Sequence, residues 1–234
     1  MAENDTSRTS RRAVLLAAGS AGAAVLAAAC SGAAGTRGPA GQPPAPPSRP
    51  SAQGSTPACV LTPEAGAGPY YLDLDRVRSD ITDGRDGVPL RLDLTVVRAS
   101  AGCRPLAAAT VDVWHADASG TYSTGKDTFL RGIQVTDGAG RCVFRTIVPG
   151  WYAGLAPHIH FKVRPDTRTE TTSQFFFPED LLLEVYARRP YARRRAPEHP
   201  NQRDDRYRAT GGAMTLALSP DGDGYRAAHT VGIA

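Results

Sequence analysis

The sequence predicts a mostly β chain: a single β-sandwich domain with one short helix, preceded by a signal sequence and a disordered linker. Three observations carry this expectation. Residues 58–234 hold several short segments with apolar residues at alternate positions, the period of a half-buried strand. Turn signals separate them, at Asp83-Gly84, Asp86-Gly87, Asp137-Gly138 and Asp221-Gly222-Asp223-Gly224. The stretch also has the size of one domain, with no internal repeat. Many short strands joined by regular turns favour a sandwich.

Residues 1–30 read as an export signal. Ser10-Arg11-Arg12-Ala13-Val14-Leu15-Leu16 resembles a twin-arginine motif, and an apolar run follows from Ala13 to Ala29. That run is short and weakly hydrophobic for a bilayer span, which needs about 20 strongly apolar residues. Leu26-Ala27-Ala28-Ala29-Cys30 reads as a lipoprotein processing site, which makes Cys30 the lipidated residue and the anchor on the outer side of the membrane. A plain cleaved signal and an uncleaved N-terminal anchor are the alternatives. Residues 31–57 consist almost entirely of Gly, Ala, Pro, Ser, Gln and Thr. Such a tract buries too little surface to offset its ordering entropy, so it reads as a flexible tether.

Within residues 58–234 the elements follow in order. Leu90, Leu92, Leu94 and Val96 share one face of a strand over 90–97. Further strands are expected at Thr110–Trp114, Phe129–Val135, Cys142–Ile147, Ile159–Val163, Ala213–Leu218 and Tyr225–Thr230. One helix is expected from Pro178 to about Arg188. Proline opens it, Glu179 and Asp180 suit its N-terminal dipole, Leu181, Leu182 and Val185 form an apolar face, and Pro190 ends it.

Charge and cysteines narrow the classes of function. The net charge is +4, or +3 once residues 1–29 are set aside with their three arginines, Glu3 and Asp5. This is too mild to imply a nucleic-acid partner. An arginine-rich stretch (Arg188, Arg189, Arg193, Arg194, Arg195, Arg203, Arg206, Arg208) is broken by acidic residues and prolines, and it reads as a solvated loop. A patch for an anionic polymer or lipid is the alternative. In an oxidising compartment a disulfide is expected. Cys59 and Cys103 both lie beside loop residues and are the expected pair, with Cys142 a buried free thiol in a strand. No C-x-x-C spacing supports a zinc site.

The chemistry concentrates in Pro157-His158-Ile159-His160-Phe161. In a strand, His158 and His160 project to one face while Ile159, Phe161 and Val163 take the other. Tyr152 lies six residues before His158. Two imidazoles with a phenolate, a hard anionic donor, suit Fe(III) better than zinc. A further candidate, Tyr122, closes the segment Trp114-His115-Ala116-Asp117-Ala118-Ser119-Gly120-Thr121-Tyr122, in which His115 reads as structural.

With these blocks in order, the chain resembles the intradiol ring-cleavage dioxygenases. The resemblance runs from Thr62-Pro63-Glu64-Ala65-Gly66-Ala67-Gly68-Pro69-Tyr70-Tyr71 through Trp114–Tyr122 and Leu130-Arg131-Gly132. It continues through Phe144-Arg145-Thr146-Ile147-Val148-Pro149-Gly150-Trp151-Tyr152, His158-Ile159-His160-Phe161 and Ser173-Gln174-Phe175-Phe176-Phe177-Pro178. It spans nearly all of residues 59–232 and is nearest to the short extracellular members, relatives of catechol 1,2-dioxygenase and protocatechuate 3,4-dioxygenase.

The resemblance implies a mononuclear non-haem Fe(III) held by Tyr122, Tyr152, His158 and His160. It implies cleavage of a small aromatic diol by O2 between the two hydroxyl-bearing carbons, giving a muconate-type diacid. Tyr152 matches the tyrosine that yields its place to substrate and then acts as a base. Gln174 matches a position near the substrate, and the loops around Pro69, Tyr70, Tyr71 and Trp151, with Leu155, are expected to bind the substrate and set which ring substituents fit. One position departs from the family: three residues before the first histidine an arginine is usual, and here stands Leu155. A charge-assisted hydrogen bond contributes about 1.5–3 kcal/mol, so its loss is expected to slow the reaction roughly 10- to 100-fold or alter substrate choice, leaving iron binding intact. Arg131, Arg145 and Arg164 are the candidates to stand in. A non-catalytic iron- or catechol-binding surface lipoprotein is the competing reading, and a metal-free adhesion sandwich is a third. The family's N-terminal dimerisation helix has no counterpart in the signal and linker, so no oligomeric state is inferred.

Overall fold

The computed structural model describes residues 60–152, 154–194, 197 and 199–234. Residues 1–57, read above as export signal and linker with Cys30, lie outside the described residues, as does Cys59. Among the described residues nine strands follow in chain order: β1 (Pro89–Arg98), β2 (Arg104–Pro105), β3 (Thr110–Trp114), β4 (Arg131–Val135), β5 (Arg141–Ile147), β6 (His158–Arg164), β7 (Thr171–Phe176), β8 (Leu218–Asp221) and β9 (Gly224–Ile233). Two helices, α1 (Glu179–Tyr186) and α2 (Asp205–Ala209), lie between β7 and β8.

The strands form two sheets. In the first, β1 is central: it pairs antiparallel with β5 over most of its length and with the short β2 at its C-terminal end, and parallel with β9, outside which lies β8. The second runs β4-β3-β6-β7, antiparallel throughout. Alternation decides which side chains meet between them. Leu90, Leu92, Leu94 and Val96 of β1 and Phe144 of β5 pack in one core with Val111 and Val113 of β3 and Ile159, Phe161 and Val163 of β6. Phe161 stacks on Phe175 of β7 with ring centroids 4.2 Å apart.

The helix α1 follows its expected signals. Pro178 stands at the N-cap, Glu179 and Asp180 occupy the first turn, and Leu182, Val185 and Tyr186 are buried. Cys142 is a buried free thiol, its pKa pushed up to about 12 by burial, and Cys103 is disulfide-bonded.

Three details differ from expectation. Residues 213–217 are not a strand: Gly211 and Gly212 both take positive φ, the turn continues to Met214, only Thr215 bridges to Phe176, and the strand begins at Leu218. It pairs with β9 through a two-residue turn opened by Gly222 at φ +62°. The strand expected from Phe129 starts at Arg131, because Leu130 sits at φ +54°, outside the extended region. The left-handed Leu130 is held by its N–H bond to the Ile81 carbonyl (2.7 Å) and by the His115 N–H on its own carbonyl (3.2 Å). The short helix α2 also went unexpected, inside the stretch read as a solvated loop.

Before β1, the chain from Val60 to Ile81 crosses the outer face of the second sheet. Ala65 N–H bonds to the Thr172 carbonyl, the Ser173 hydroxyl to the Pro63 carbonyl, and the Gln174 amide to the Gly66 carbonyl. That crossing converts an exposed sheet face into an enclosed one.

Phe161 is fully buried between the sheets, so Phe161→Ala is expected to cost about 3–5 kcal/mol of stability. Urea denaturation measures it, and a loss below about 1 kcal/mol would show that this position does not join the sheets.

Candidate metal centre

β6 is buried along both faces. With Ile159, Phe161 and Val163 turned to the core, His158 and His160 face the covered outer side, at 3% and 2% exposure. Their rings meet edge to face, centroids 4.6 Å apart, and the two Nε2 atoms approach to 3.0 Å. His158 Nδ1 lies 2.7 Å from the Ala156 carbonyl, which can only accept, so Nδ1 carries the proton and Nε2 presents a lone pair. His160 pairs in register with Trp114 on one side and Gln174 on the other. Its ring stacks on Trp114 at 4.9 Å, nearly parallel. Along this row three buried polar atoms lack a partner among the described residues: Trp114 Nε1, His160 Nδ1 and Gln174 Oε1.

Two loops bring tyrosines to the pair. Tyr122 is buried, with its hydroxyl 3.4 Å from His158 Nε2. Tyr152 is half-buried, its ring 5.8 Å from that of Tyr122 and 6.0 Å from that of His158. Tyr70 stacks on Tyr122 at 4.4 Å and meets Tyr152 edge-on at 6.3 Å.

The approach of these loops requires glycine. A Cβ on Gly120, which sits at φ +80°, would lie 2.0 Å from the Trp151 carbonyl oxygen, and one on Gly150 would lie 2.4 Å from that of Ala118. Asp117 ties the crossing together. Its carboxylate accepts the N–H groups of Ser119 and Thr121, and its carbonyl accepts that of Gly150. Arg131 is buried and fixes the residue after Tyr122, donating to the Ser123 hydroxyl (2.7 Å) and carbonyl (2.8 Å).

Burial sets the electrostatics. It pushes the pKa of both histidines down, His160 well down, so both are neutral imidazoles at neutral pH. It pushes the Tyr122 hydroxyl well above its ordinary range, aided by neighbouring Tyr152 and opposed by the charge of Arg131. Tyr152 is also raised by burial, against the neighbouring Tyr122 hydroxyl and the charge of Arg206. The four donors fit a hard cation. Two neutral nitrogens converge on one point, and two phenols keep their protons unless a metal charge displaces them. No carboxylate joins them, and among the described residues no cluster of three His, Cys, Asp or Glu exists. A site here therefore needs the tyrosines.

The family model described as dioxygenase matches residues 66–196, more than half of the chain, including both tyrosine loops and β6. The chain belongs to the intradiol ring-cleavage dioxygenase family. Catechol 1,2-dioxygenase 1 of Acinetobacter lwoffii is 30% identical over 151 residues, 52% of this chain and 48% of its own length. Chlorocatechol 1,2-dioxygenase of Pseudomonas putida is 33% identical over 135 residues, 47% of this chain and 51% of its own. The chain thus spans about half the length of the curated relatives it matches. Among solved structures, an intradiol ring-cleavage dioxygenase from Tetranychus urticae is similar with a TM-score of 0.71 and 29% identity, covering 75% of this chain and 94% of that one. The dioxygenase domain of a carbohydrate-binding fusion from Streptomyces sp. SirexAA-E has a TM-score of 0.60 at 28% identity.

In this intradiol family member the remaining candidates fall at different places. Gln174 is fully buried beside His160, and Tyr70 lies against both tyrosines. Trp151 points into the core, packed on Tyr186 at 4.5 Å and covered by the Arg194 guanidinium. Leu155 is half-buried on the loop before β6. Of the arginines considered to stand in at that position, Arg145 is exposed on β5, Arg164 is paired with Asp112 and Asp73, and Arg131 is bound to Ser123. His115 is structural: it donates to the Ala116 carbonyl, accepts from Thr146, and is lowered to about 4 by burial. Sequence reasoning left Asp204 inside the stretch read as a solvated loop and gave it no role. Asp204 caps α2 and accepts the Ala156 N–H, reaching the segment that orients His158. The signal was present, an aspartate one residue before a short helical run, but prolines and arginines around it obscured it.

Gly120→Ala is expected to cost at least about 2 kcal/mol, from a left-handed backbone and a clash with the Trp151 carbonyl. Gly125→Ala, also at positive φ but with open space around it, carries only the backbone part, about 1–2 kcal/mol. Equal thermal shifts in the two variants would remove the loop crossing as the cause.

Proposed function

We propose that this protein is a non-haem Fe(III) intradiol dioxygenase, cleaving catechol-type aromatics with O2 between the two hydroxyl-bearing carbons to give muconate-type diacids. The observation that carries this is the convergence of His158 Nε2, His160 Nε2 and the Tyr122 and Tyr152 hydroxyls within the family's fold. When bound, a ferric ion supplies the Lewis acidity that ionises phenol and diol, and the electronic coupling that makes the ring reactive toward O2. The chain's own residues do the rest. The Ala156 carbonyl fixes His158 in the tautomer that leaves Nε2 free to coordinate. Trp114 holds the His160 ring flat. Tyr122 is buried and clamped by Tyr70, so it is the permanent oxygen donor. Tyr152 is the less buried of the two, so it is the one able to yield its place to a diol and take a proton at its hydroxyl oxygen. Tyr70 offers an aromatic wall for a planar ring. The curated relatives named for catechol and chlorocatechol support an ortho-diphenol as the substrate class.

Fe(III)-loaded protein is expected to be reddish from tyrosinate charge transfer, and Tyr152→Phe to shift or abolish that band while cutting turnover at least about 100-fold. O2 uptake and diacid formation on catechol, hydroxyquinol and protocatechuate measure the activity. Folded protein that takes up no coloured iron, or that gives no diacid from any of the three, would sink the proposal.

Export by the twin-arginine route, with lipid on Cys30, is proposed on the motif around Arg11-Arg12 and the run up to Ala29. Radiolabelled fatty acid is expected to enter the wild-type chain and to be absent from Cys30→Ser; equal labelling would overturn this.

A further inference from the structure

The segment that covers the second sheet is held unevenly. Its ends are fixed by backbone: the Ala65 N–H bonds to the Thr172 carbonyl, the Ile133 N–H to the Arg76 carbonyl, and the Arg78 N–H to the Ile133 carbonyl. Between Gly66 and Asp75, among the described residues, no backbone group bonds to backbone outside the segment. Yet this strap meets the centre at three places. A Cβ on Gly68 would lie 3.4 Å from His160 Cε1, Tyr70 stacks on Tyr122 at 4.4 Å, and Tyr71 meets Trp114 edge-on at 4.9 Å. Trp114 in turn stacks on His160. A strap without a backbone ladder opens easily unless side chains hold it down.

Those side chains converge on Tyr71. The Lys162 ammonium lies 4.2 Å from the centre of its ring, and Arg164 Nη1 donates to its hydroxyl at 3.4 Å. The same nitrogen bonds to Asp73 at 3.4 Å, while Nη2 donates to Asp112 at 2.8 Å. One guanidinium on β6 thus joins two strap residues to a carboxylate on β3. The Asp73 side chain is 76% exposed, so its pair with Arg164 is screened and weak by itself. The Asp112 side chain is only 6% exposed. It fixes where the guanidinium sits, because a buried carboxylate that loses its partner is costly. Lys162 is already paired with Glu170 and does not replace Arg164 there. Neither Arg164 nor Asp112 belongs to the donor set.

We propose that Arg164, seated on Asp112, is a positioning residue that holds the strap shut over the centre, keeping Tyr71 on Trp114 and Tyr70 on Tyr122. Closure is a property of the fold alone. Its consequence for a bound diol rests on the reading of the site as a ferric catechol centre, with Tyr70 as the wall for the ring.

The test reads strap opening through Trp114, which is 2% exposed with Tyr71 against it. The chain has two tryptophans, so Trp151→Phe in the full chain leaves Trp114 as the sole reporter. Acrylamide quenching of its fluorescence then measures solvent access and needs no metal. Arg164→Gln is expected to raise the quenching constant roughly 10-fold, the worth of one hydrogen bond to a charged group. Arg164→Gln with Asp112→Asn removes the carboxylate left unpaired, so it is expected to recover the thermal midpoint while quenching stays high. In the iron-loaded full chain with Trp151 retained, Arg164→Gln is expected to raise the KM for catechol about 10-fold and to leave kcat within about two-fold, because the wall binds ground and transition states alike. Wild-type quenching in Arg164→Gln would overturn the proposal. So would quenching that returns to the wild-type level along with the midpoint in the double variant, since the strap would then open only through lost stability. If the wild-type chain turns over no catechol, the ferric reading fails while quenching still decides closure. Raised quenching with an unchanged KM would overturn only the link from closure to the diol.

Discussion

Everything at the candidate centre depends on β6 satisfying two environments at once. Ile159, Phe161 and Val163 are fully buried between the sheets, and their alternation leaves His158, His160 and Lys162 on the other face. Slipping the strand by one residue would put imidazoles into the core and three large apolar side chains into the site. The packing that stabilises the sandwich is therefore the same packing that sets the direction of the histidines. The neighbouring strands continue the row, so Trp114 and Gln174 flank His160 by register alone.

Along that face the chemistry changes with position. Beyond His160 come Lys162, paired with Glu170 and lying over the Tyr71 ring, and Arg164, paired with Asp112 and Asp73. Burial raises the Asp112 carboxyl to about 6 in spite of Arg164 beside it. This end of the sheet is charged and internally paired, whereas the His158–His160 end is neutral and aromatic, with orphaned polar atoms. The segment from Val60 to Ile81 covers both ends.

The two tyrosines reach that end by a different device. Their loops touch backbone to backbone, and glycine at positions 120 and 150 removes the side chains that would hold them apart. A cluster assembled from a strand and two crossing loops is rigid because each part is fixed by something other than the ligand it would hold: core packing for β6, the Asp117 hydrogen bonds for the first loop, and the core-packed Trp151 for the second. The helix α2 adds a fourth part, joined through Asp204 to the N–H of Ala156, two residues before His158. The usual arginine of the family is absent from that loop, where Leu155 stands.

Much of this was legible in the sequence, for an identifiable reason. Period-two alternation marked β1 and β6, and Asp-Gly pairs marked the turns, because both are local effects of backbone geometry. The order of the Trp114–Tyr122, Val148–Tyr152 and His158–Phe161 blocks was enough to group the four donor residues. Local signals also misled where chain conformation overrode composition: Leu130 reads as a strand residue but takes a left-handed backbone, and Met214 to Leu216 read as a strand but follow a double-glycine turn. The Trp151 ring packs on Tyr186 in the core, and the run of arginines hid the buried Asp204. The sequence by itself determined the sandwich and the faces of its strands, since these follow from alternation, and its resemblance to the family grouped the four candidate donor residues. Only the tertiary structure decided which charges face those donors, because electrostatic proximity arises from how separate elements pack and has no period along the chain.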